Sequence, residues 1–489
     1  MAHKASDGGS PSQPREHATP RAQLDTLIRP PALAGSWYPA EPAELAQTVD
    51  RLLASVEPVD GAPIALIVPH AGYTYSGRIA AAGWRQIENA EYDLAVILAP
   101  AHRARPPKPL VVWECGAFAT PLGNVPVDAD VCRLLIETCP YVTVDRAAHI
   151  AEHAIEIQLP FLQRVAPQCR IAPLVMGDGT DDDGVIDSIA QALTQATTGR
   201  RCVIVASSDL SHYPSYRNAV AVDQATLGAI ETGQTDCVLE TTLDALESGT
   251  PNLLTCACGE GPILVAMRAA ELMGAETITV LDYANSGDAP RGDRRQVVGY
   301  GAVMLWHYEP PALTSAQQQR LLRLAREAIE MHFRSGSASV VSVDDPALNR
   351  RAGAFVTLWQ GEQLRGCIGH TKADRPLYRV VQEMAVAAAT RDTRFAPLSL
   401  DELGSLSVEI WVLSPLRRIT SIEQVEAGKH GLVIAKDGRR GLLLPEVATE
   451  RGWDRYELAD AVCWKAGLPA GCWRAGAAMY TFTAIVFSG

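Results

Sequence analysis

Ala62-Pro63-Ile64-Ala65-Leu66-Ile67-Val68-Pro69-His70 is an apolar run that stops at a proline and hands straight over to a histidine. Such runs, rich in Ile, Val and Leu and separated by helix-length stretches, read as buried parallel strands of an α/β sheet. Three more follow the same plan. Residues 93–100 lead into His102, residues 201–206 run into Ser207-Ser208-Asp209 and His212, and residues 277–283 open into Asn285-Ser286-Gly287-Asp288. Open α/β sheets bind ligands in the crevice outside the carboxyl ends of their strands. The four polar clusters are therefore expected on one edge, as a metal or catalytic site in the first three-fifths of the chain.

The 489 residues, 47% apolar and 20% charged, suffice for two or three domains with a large core. A formal charge of −13 without a concentrated Lys/Arg run argues against nucleic acid and anionic membranes as partners, since phosphate binding relies on clustered cations. A small-molecule substrate or a protein partner is expected instead. The longest apolar stretches, 94–100 and 480–487, are far shorter than the ~18 residues of a membrane helix. Residues 1–28, rich in Ser, Gly, Pro and charge, read as a disordered tail without a secretory signal. Eleven scattered cysteines do not form a disulfide framework, which points to the cytoplasm and reduced thiols. Pro310-Pro311 stands between a strand-like run, 297–306, and a helical pattern, 315–332, with Ser315 as N-cap. The boundary near 310 divides the chain into domains at 29–308 and 313–489. The short, proline-stiffened linker predicts domains held in a defined orientation.

His70 is fixed at a strand end, before glycines that allow a tight turn and a helix beginning near Arg78. Ala99-Pro100-Ala101-His102 repeats the device one strand later, and two histidines so placed can share a metal. The third candidate is Cys258, in Thr255-Cys256-Ala257-Cys258-Gly259-Glu260, because the amino end of the helix that follows (263–273) lowers a thiol's pKa and favours thiolate. His212 is assigned an acid–base role, with Asp209 available to orient its ring or accept a proton. Glu152 and Glu156 are expected on one face of a helix start with His153 beside them, supporting the site or touching substrate. Tyr73, Asn285 and Asp288 join that group. Cys115, Cys132, Cys139, Cys169, Cys202 and Cys237 read as small buried hydrophobes.

Together these segments resemble the Memo family, also called AmmeMemoRadiSam system protein B, over roughly 29–306. The likeness rests on Ala34-Gly35-Ser36-Trp37-Tyr38-Pro39, Pro69-His70-Ala71-Gly72-Tyr73, Glu152-His153-Ala154-Ile155-Glu156, Ser207-Ser208-Asp209, Tyr283-Ala284-Asn285-Ser286-Gly287-Asp288 and Val298-Gly299-Tyr300. The resemblance implies the fold of class III extradiol dioxygenases, which use non-haem iron. It implies a His-His-Cys metal site at His70, His102 and Cys258, with His212 in the place of the dioxygenase acid–base histidine. Those dioxygenases have a carboxylate where Cys258 stands, which sets this site apart from ring cleavage. The softer donor set suits Fe(II) or Cu, with Zn also accepted.

Residues 313–489 resemble the AMMECR family, AmmeMemoRadiSam system protein A, through Gly353-Ala354-Phe355-Val356-Thr357-Leu358, Leu364-Arg365-Gly366-Cys367-Ile368-Gly369, Asp392-Thr393-Arg394-Phe395-Ala396-Pro397 and Lys465-Ala466-Gly467-Leu468. This domain reads as α+β, with 364–369 a turn in which glycines frame Cys367, and strands at 407–413 and 480–487. Arg365, Cys367 and Asp392 are its candidate pocket residues. A composite pocket with the His70 edge would give the fusion a chemical reason. The family name implies a radical S-adenosylmethionine protein as a further partner, whose Cys-x-x-x-Cys-x-x-Cys motif this chain lacks. The expected function is a metal-dependent oxidoreductase acting on a small substrate. The alternative is a non-catalytic metal-binding scaffold, or a protein that handles iron or copper.

Overall fold

Up to Trp306 the chain contributes strands β1 (Ile28–Arg29), β2 (Pro63–Val68), β3 (Leu94–Pro100), β4 (Leu110–Val112), β5 (Ala117–Thr120), β6 (Gly123–Pro126), β7 (Val142–Val144), β8 (Arg170–Met176), β9 (Cys202–Ser207), β10 (Thr277–Asn285) and β11 (Gly299–Trp306). The computed structural model describes residues 27–489 except 60, 89–90, 178–182, 291, 308–312, 337–339, 372, 374 and 437. The tail expectation for 1–26 and the Pro310-Pro311 linker lie outside the described residues. Ile28, assigned to the tail from sequence, pairs with Ala117 in the small sheet β1-β5-β6.

Eight strands form one sheet in the order β10-β11-β2-β9-β3-β8-β4-β7. β2, β9, β3 and β8 run parallel, while β11 and β4 are antiparallel to their neighbours β2 and β8. Every residue of β3 and β9 is buried, so both faces are covered, and their continuous apolar sequences follow from that. β10 is antiparallel to β11, which is antiparallel to β2, so β10 ends on the same edge as the parallel strands. The four polar clusters do share one edge. β10 itself is only half-buried along its middle, because an edge strand has one neighbour.

The helix after β2 spans Tyr73–Trp84, a turn earlier than the expected start near Arg78. It closes tightly onto the sheet: a Cβ on Gly83 would meet Val68 Cγ1 at 2.3 Å. The helix expected around Glu152 is absent there; residues 151–155 are irregular, and a 3-10 turn (Glu156–Gln158) precedes the helix Leu159–Val165.

The second domain adds β12 (Gly353–Gln360), β13 (Gln363–His370), β14 (Leu406–Leu413), β15 (Arg417–Ile419), β16 (Gly431–Lys436), β17 (Arg439–Leu443), β18 (Ala478–Phe482) and β19 (Ala484–Ser488). They form two antiparallel sheets, β13-β12-β14-β19 and β15-β18-β16-β17. Residues 364–369 are therefore strand rather than turn; the turn falls at Gly361, whose φ of 59° suits glycine. The single strand expected over 480–487 is broken at Thr483 into β18 and β19, one in each sheet. The first helix, Ser315–Ser335, is capped by Thr314, which exchanges side-chain and backbone bonds with Gln317, so Ser315 is the first helical residue and not the N-cap. Cys463 and Cys472 form a disulfide, so the expectation of reduced thiols is not met at this pair. Among the described residues no helix is long and apolar enough to cross a membrane.

The two domains touch through Arg418, which donates to the Gly228 carbonyl, Thr420 with Gln234 at 3.0 Å, and Arg351 with Glu57 at 3.3 Å. A cavity of ≈ 670 Å³ between them is lined by Val56, Arg78, Ile278, Trp306, Arg351 and Leu416 among others. Neither His70, His102 and Cys258 nor Arg365 and Cys367 line it. This cavity is therefore not the composite pocket expected from sequence.

Candidate metal centre

His70, His102 and Cys258 converge at the carboxyl edge of the sheet, each offering one ligand atom within 4.8 Å of the others. His70 follows β2, His102 follows β3, and Cys258 arrives on the loop before the helix Glu260–Leu272. That loop seats directly on the end of β9, since a Cβ on Gly259 would meet Ser208 Cβ at 2.7 Å and the Ser207 carbonyl at 2.8 Å. Cys258 Sγ lies 3.2 Å from His70 Nε2.

Hydrogen-bond accounting fixes the histidine tautomers. Ser207 Oγ donates its one proton to the Ala154 carbonyl (2.7 Å) and accepts from Gln158 Nε2 (2.9 Å). It must then accept from His70 Nδ1, 3.1 Å away, which leaves the Nε2 lone pair directed at Cys258. Burial, reinforced by the nearby His102, lowers the His70 pKa to about 3, so the ring is neutral, the form that binds a metal. The Glu152 carboxylate lies 3.0 Å from His102 Nδ1 and also accepts the His102 backbone N–H at 2.7 Å. His102 is thus protonated at Nδ1, which leaves the lone pair on Nε2 for a metal. Glu152 further accepts the backbone N–H groups of His153 and Ala154. Burial alone would raise its pKa, but the hydrogen bonds from His102 and the Ala154 backbone N–H help to outweigh it and hold Glu152 ionised.

The thiol departs from expectation. Burial first, and the Asp209 carboxylate second, push Cys258 up, and the helix amino end does not overcome them. A cation bound at sulfur reverses that balance.

His153 stands against the cluster, its ring centroid 4.4 Å from that of His102 and 5.5 Å from that of His70, with Trp37 edge-on at 4.7 Å. His102, Glu152 and His153 form a second group of ligand-capable side chains. His212 Nδ1 lies 2.9 Å from the Leu210 carbonyl, which assigns it the proton and leaves Nε2 as acceptor. Leu210, and not Asp209, therefore orients that ring. Asp209 Oδ1 instead accepts the His70 backbone N–H at 2.8 Å, and burial raises its carboxyl to about 6.

Other candidates turn inward or into their own loops. Glu156 accepts from Tyr38 at 2.6 Å and from the Ala32 and Leu33 amides, and pairs with the fully buried Arg29. Glu152 and Glu156 part company accordingly. Tyr73 donates to the Ile157 carbonyl at 2.8 Å. Asn285 and Asp288 cap each other across a 3-10 turn, and Asp288 accepts from Tyr216. In the second domain Arg365 pairs with Glu402, while Asp392 is held by Arg394 and accepts the Cys367 N–H.

Ser207, Gln158 and Arg29 carry positioning work that the sequence left unassigned. Ser207 and Gln158 lie within stretches noted for other residues, and Arg29 lies outside every motif that carried chemistry.

Residues 29–304 match the family described as Memo-like protein, and residues 322–487 match the one described as AMMECR1. A MEMO1 family protein of Aeropyrum pernix is 37% identical over 288 residues, covering 56% of this chain and 99% of its own length. Another, from Aquifex aeolicus, is 36% identical over 281 residues, covering 57% and 99%. The crystal structure of an uncharacterized protein from Pyrococcus horikoshii is 38% identical, covers 35% of this chain and 89% of its own, and superposes with a TM-score of 0.33.

Proposed function

This chain belongs to the Memo family, with an AMMECR1 domain fused behind the Memo domain, and on that premise we propose that His70, His102 and Cys258 hold a transition metal for an oxidoreductase acting on a small molecule. The observation that carries this is the pair of imidazoles whose Nδ1 atoms are bound by Ser207 and Glu152, leaving both Nε2 lone pairs for the space shared with Cys258 Sγ. Iron(II) or copper suits two imidazoles and a thiolate, with zinc the third choice. The parallel sheet with its site at the carboxyl edge agrees with a class III extradiol dioxygenase-like fold.

A bound metal would supply Lewis acidity or a redox partner for the substrate. The chain's own residues do the rest. Glu152 and Ser207 orient the two rings, and His212 takes or returns a proton at Nε2, its tautomer set by the Leu210 carbonyl. His102 is exposed and His212 half-buried, so both are open to a substrate, while His70 and Asp209 are buried.

Replacement of His212 by Ala tests the assignment. Metal content should be unchanged, and oxygen consumption with a reductant and catechols as probe substrates should fall ~10²–10⁴-fold. Equal rates in wild type and variant would refute the acid–base role.

A further inference from the structure

The cavity of ≈ 670 Å³ between the two domains carries chemistry independent of the metal centre. The Memo domain contributes Ile278, Val280 and Leu281 of β10, the outermost strand of its sheet and only half-buried along its middle. The AMMECR1 domain contributes Thr371, Pro415 and Leu416. A smaller cavity of ≈ 290 Å³ shares Glu231 and Ile278 with the first, so Glu231 stands where the two meet. Cavities of this size at domain boundaries are common sites for small ligands.

Charge is balanced around the larger cavity except at one residue. Its ionisable lining groups are Glu57, Arg78, Glu231, Asp282 and Arg351. Arg78 pairs with Asp282, and Arg351 pairs with Glu57 at 3.3 Å. The Glu231 carboxylate has no hydrogen bond or ion pair among the described residues. This residue ends the helix Tyr216–Ile230, its own N–H donating to the Leu227 carbonyl at 3.0 Å, so its charge stands at the negative end of the helix dipole. Arg418 of the second domain reaches the same helix end, where a Cβ on Gly228 would meet its Nη1 at 2.4 Å. It donates there to the Gly228 carbonyl and forms no ion pair with Glu231. Burial accordingly raises the Glu231 carboxyl, against the pull of Arg418. A half-buried carboxylate so placed lacks the cation that would offset its desolvation.

We propose that the cavity between the domains binds a small organic ammonium ion with an apolar body, its N–H groups on the Glu231 carboxylate and its carbon frame against Ile278, Val280 and Leu416. A ligand bearing a carboxylate meets two arginines already engaged by Asp282 and Glu57. An ammonium ion meets the one lining carboxylate that is unpaired, and its N–H groups make charge-assisted hydrogen bonds there. The aliphatic walls favour a hydrocarbon body over a bare inorganic cation. Because both domains line the cavity, the same ligand holds Ile278 and Leu416, and with them the two domains, in one arrangement.

Isothermal titration of the full-length protein with 2-phenylethylamine and with its neutral isostere 2-phenylethanol tests this. The amine should bind at one site per chain, at least ~10-fold tighter than the alcohol, the usual worth of a hydrogen bond to a charged group. Glu231→Gln should bring the amine down to the level of the alcohol with the circular dichroism spectrum unchanged. Leu416→Trp, which fills the cavity from the second domain, should weaken the amine in a protein that keeps Glu231. No saturable binding of the amine, or equal affinities for amine and alcohol, would overturn the proposal. Amine binding that survives Glu231→Gln would also overturn it, since the amine would then sit elsewhere, for example on a metal ion at His70, His102 and Cys258. An affinity unchanged by Leu416→Trp would overturn the placement between the domains.

Discussion

His70 Nε2 lies 3.2 Å from Cys258 Sγ, and Ser207 is the reason that nitrogen carries a lone pair. With its own proton committed to the Ala154 carbonyl, the Ser207 hydroxyl can only accept from the other nitrogen of the ring.

Ser207→Ala should therefore weaken metal binding at His70 without unfolding the sheet, by ~10–100-fold, the usual cost of losing a group that orients a ligand. Metal-competition titration reads this. An unchanged affinity would show that the ring is held by packing alone.

Asp223, bonded to the residue before His212, offers a pH test. It accepts from the Ser211 N–H at 2.9 Å and from Tyr283 at 2.7 Å, yet burial raises its carboxyl to about 6. Because the folded-state pKa lies above the unfolded one, the folded state keeps the proton longer. This group costs nothing below about pH 4. Its cost grows as pH rises towards 6 and is constant above that, at on the order of 2–3 kcal/mol. Asp223→Asn lacks that titration. The stability difference between variant and wild type should move in the variant's favour across this window, as read by denaturant unfolding; a flat difference would refute the shift.

Arg29 and Glu156 form a pair with both side chains fully buried. Arg29→Met leaves the Glu156 carboxylate without its cation and should cost ~3–5 kcal/mol, while Arg29→Met with Glu156→Leu should recover much of it. Chemical denaturation of both variants measures the difference. A loss no larger in the single variant than in the double would show that the pair is not coupled.

The sheet was legible because β2, β3 and β9 are buried on both faces and therefore spell unbroken Ile, Val and Leu runs. His70 and His102 were legible because a polar side chain after such a run has few structural reasons to be there, and Cys258 from its place before a helix together with the family resemblance. What escaped depends on distant partners. Glu152 and Glu156 sit four apart and look helical, but one is drawn to His102 and the other to Arg29, 127 residues away. Cys367 looked like a turn residue between glycines, yet Gly366 is needed because the Ala388 carbonyl lies 2.1 Å from where its Cβ would be. Arg365 and Asp392 were candidates for one pocket, but Glu402 and Arg394 are their partners. Local pattern carries the strands; the choice among several nearby charges is made only by the fold.

The most direct test of the metal centre is the metal content of anaerobically purified protein, measured by elemental mass spectrometry for wild type, His70→Ala, His102→Ala and Cys258→Ala, with circular dichroism as the control for folding. The account predicts about one transition metal ion per chain in the wild type and loss of most of it in each variant with the spectrum unchanged, because a triad lacking one arm loses its chelate geometry. Full retention of metal in His102→Ala, or a wild type far below one ion per chain after reconstitution with iron(II), copper or zinc, would contradict it.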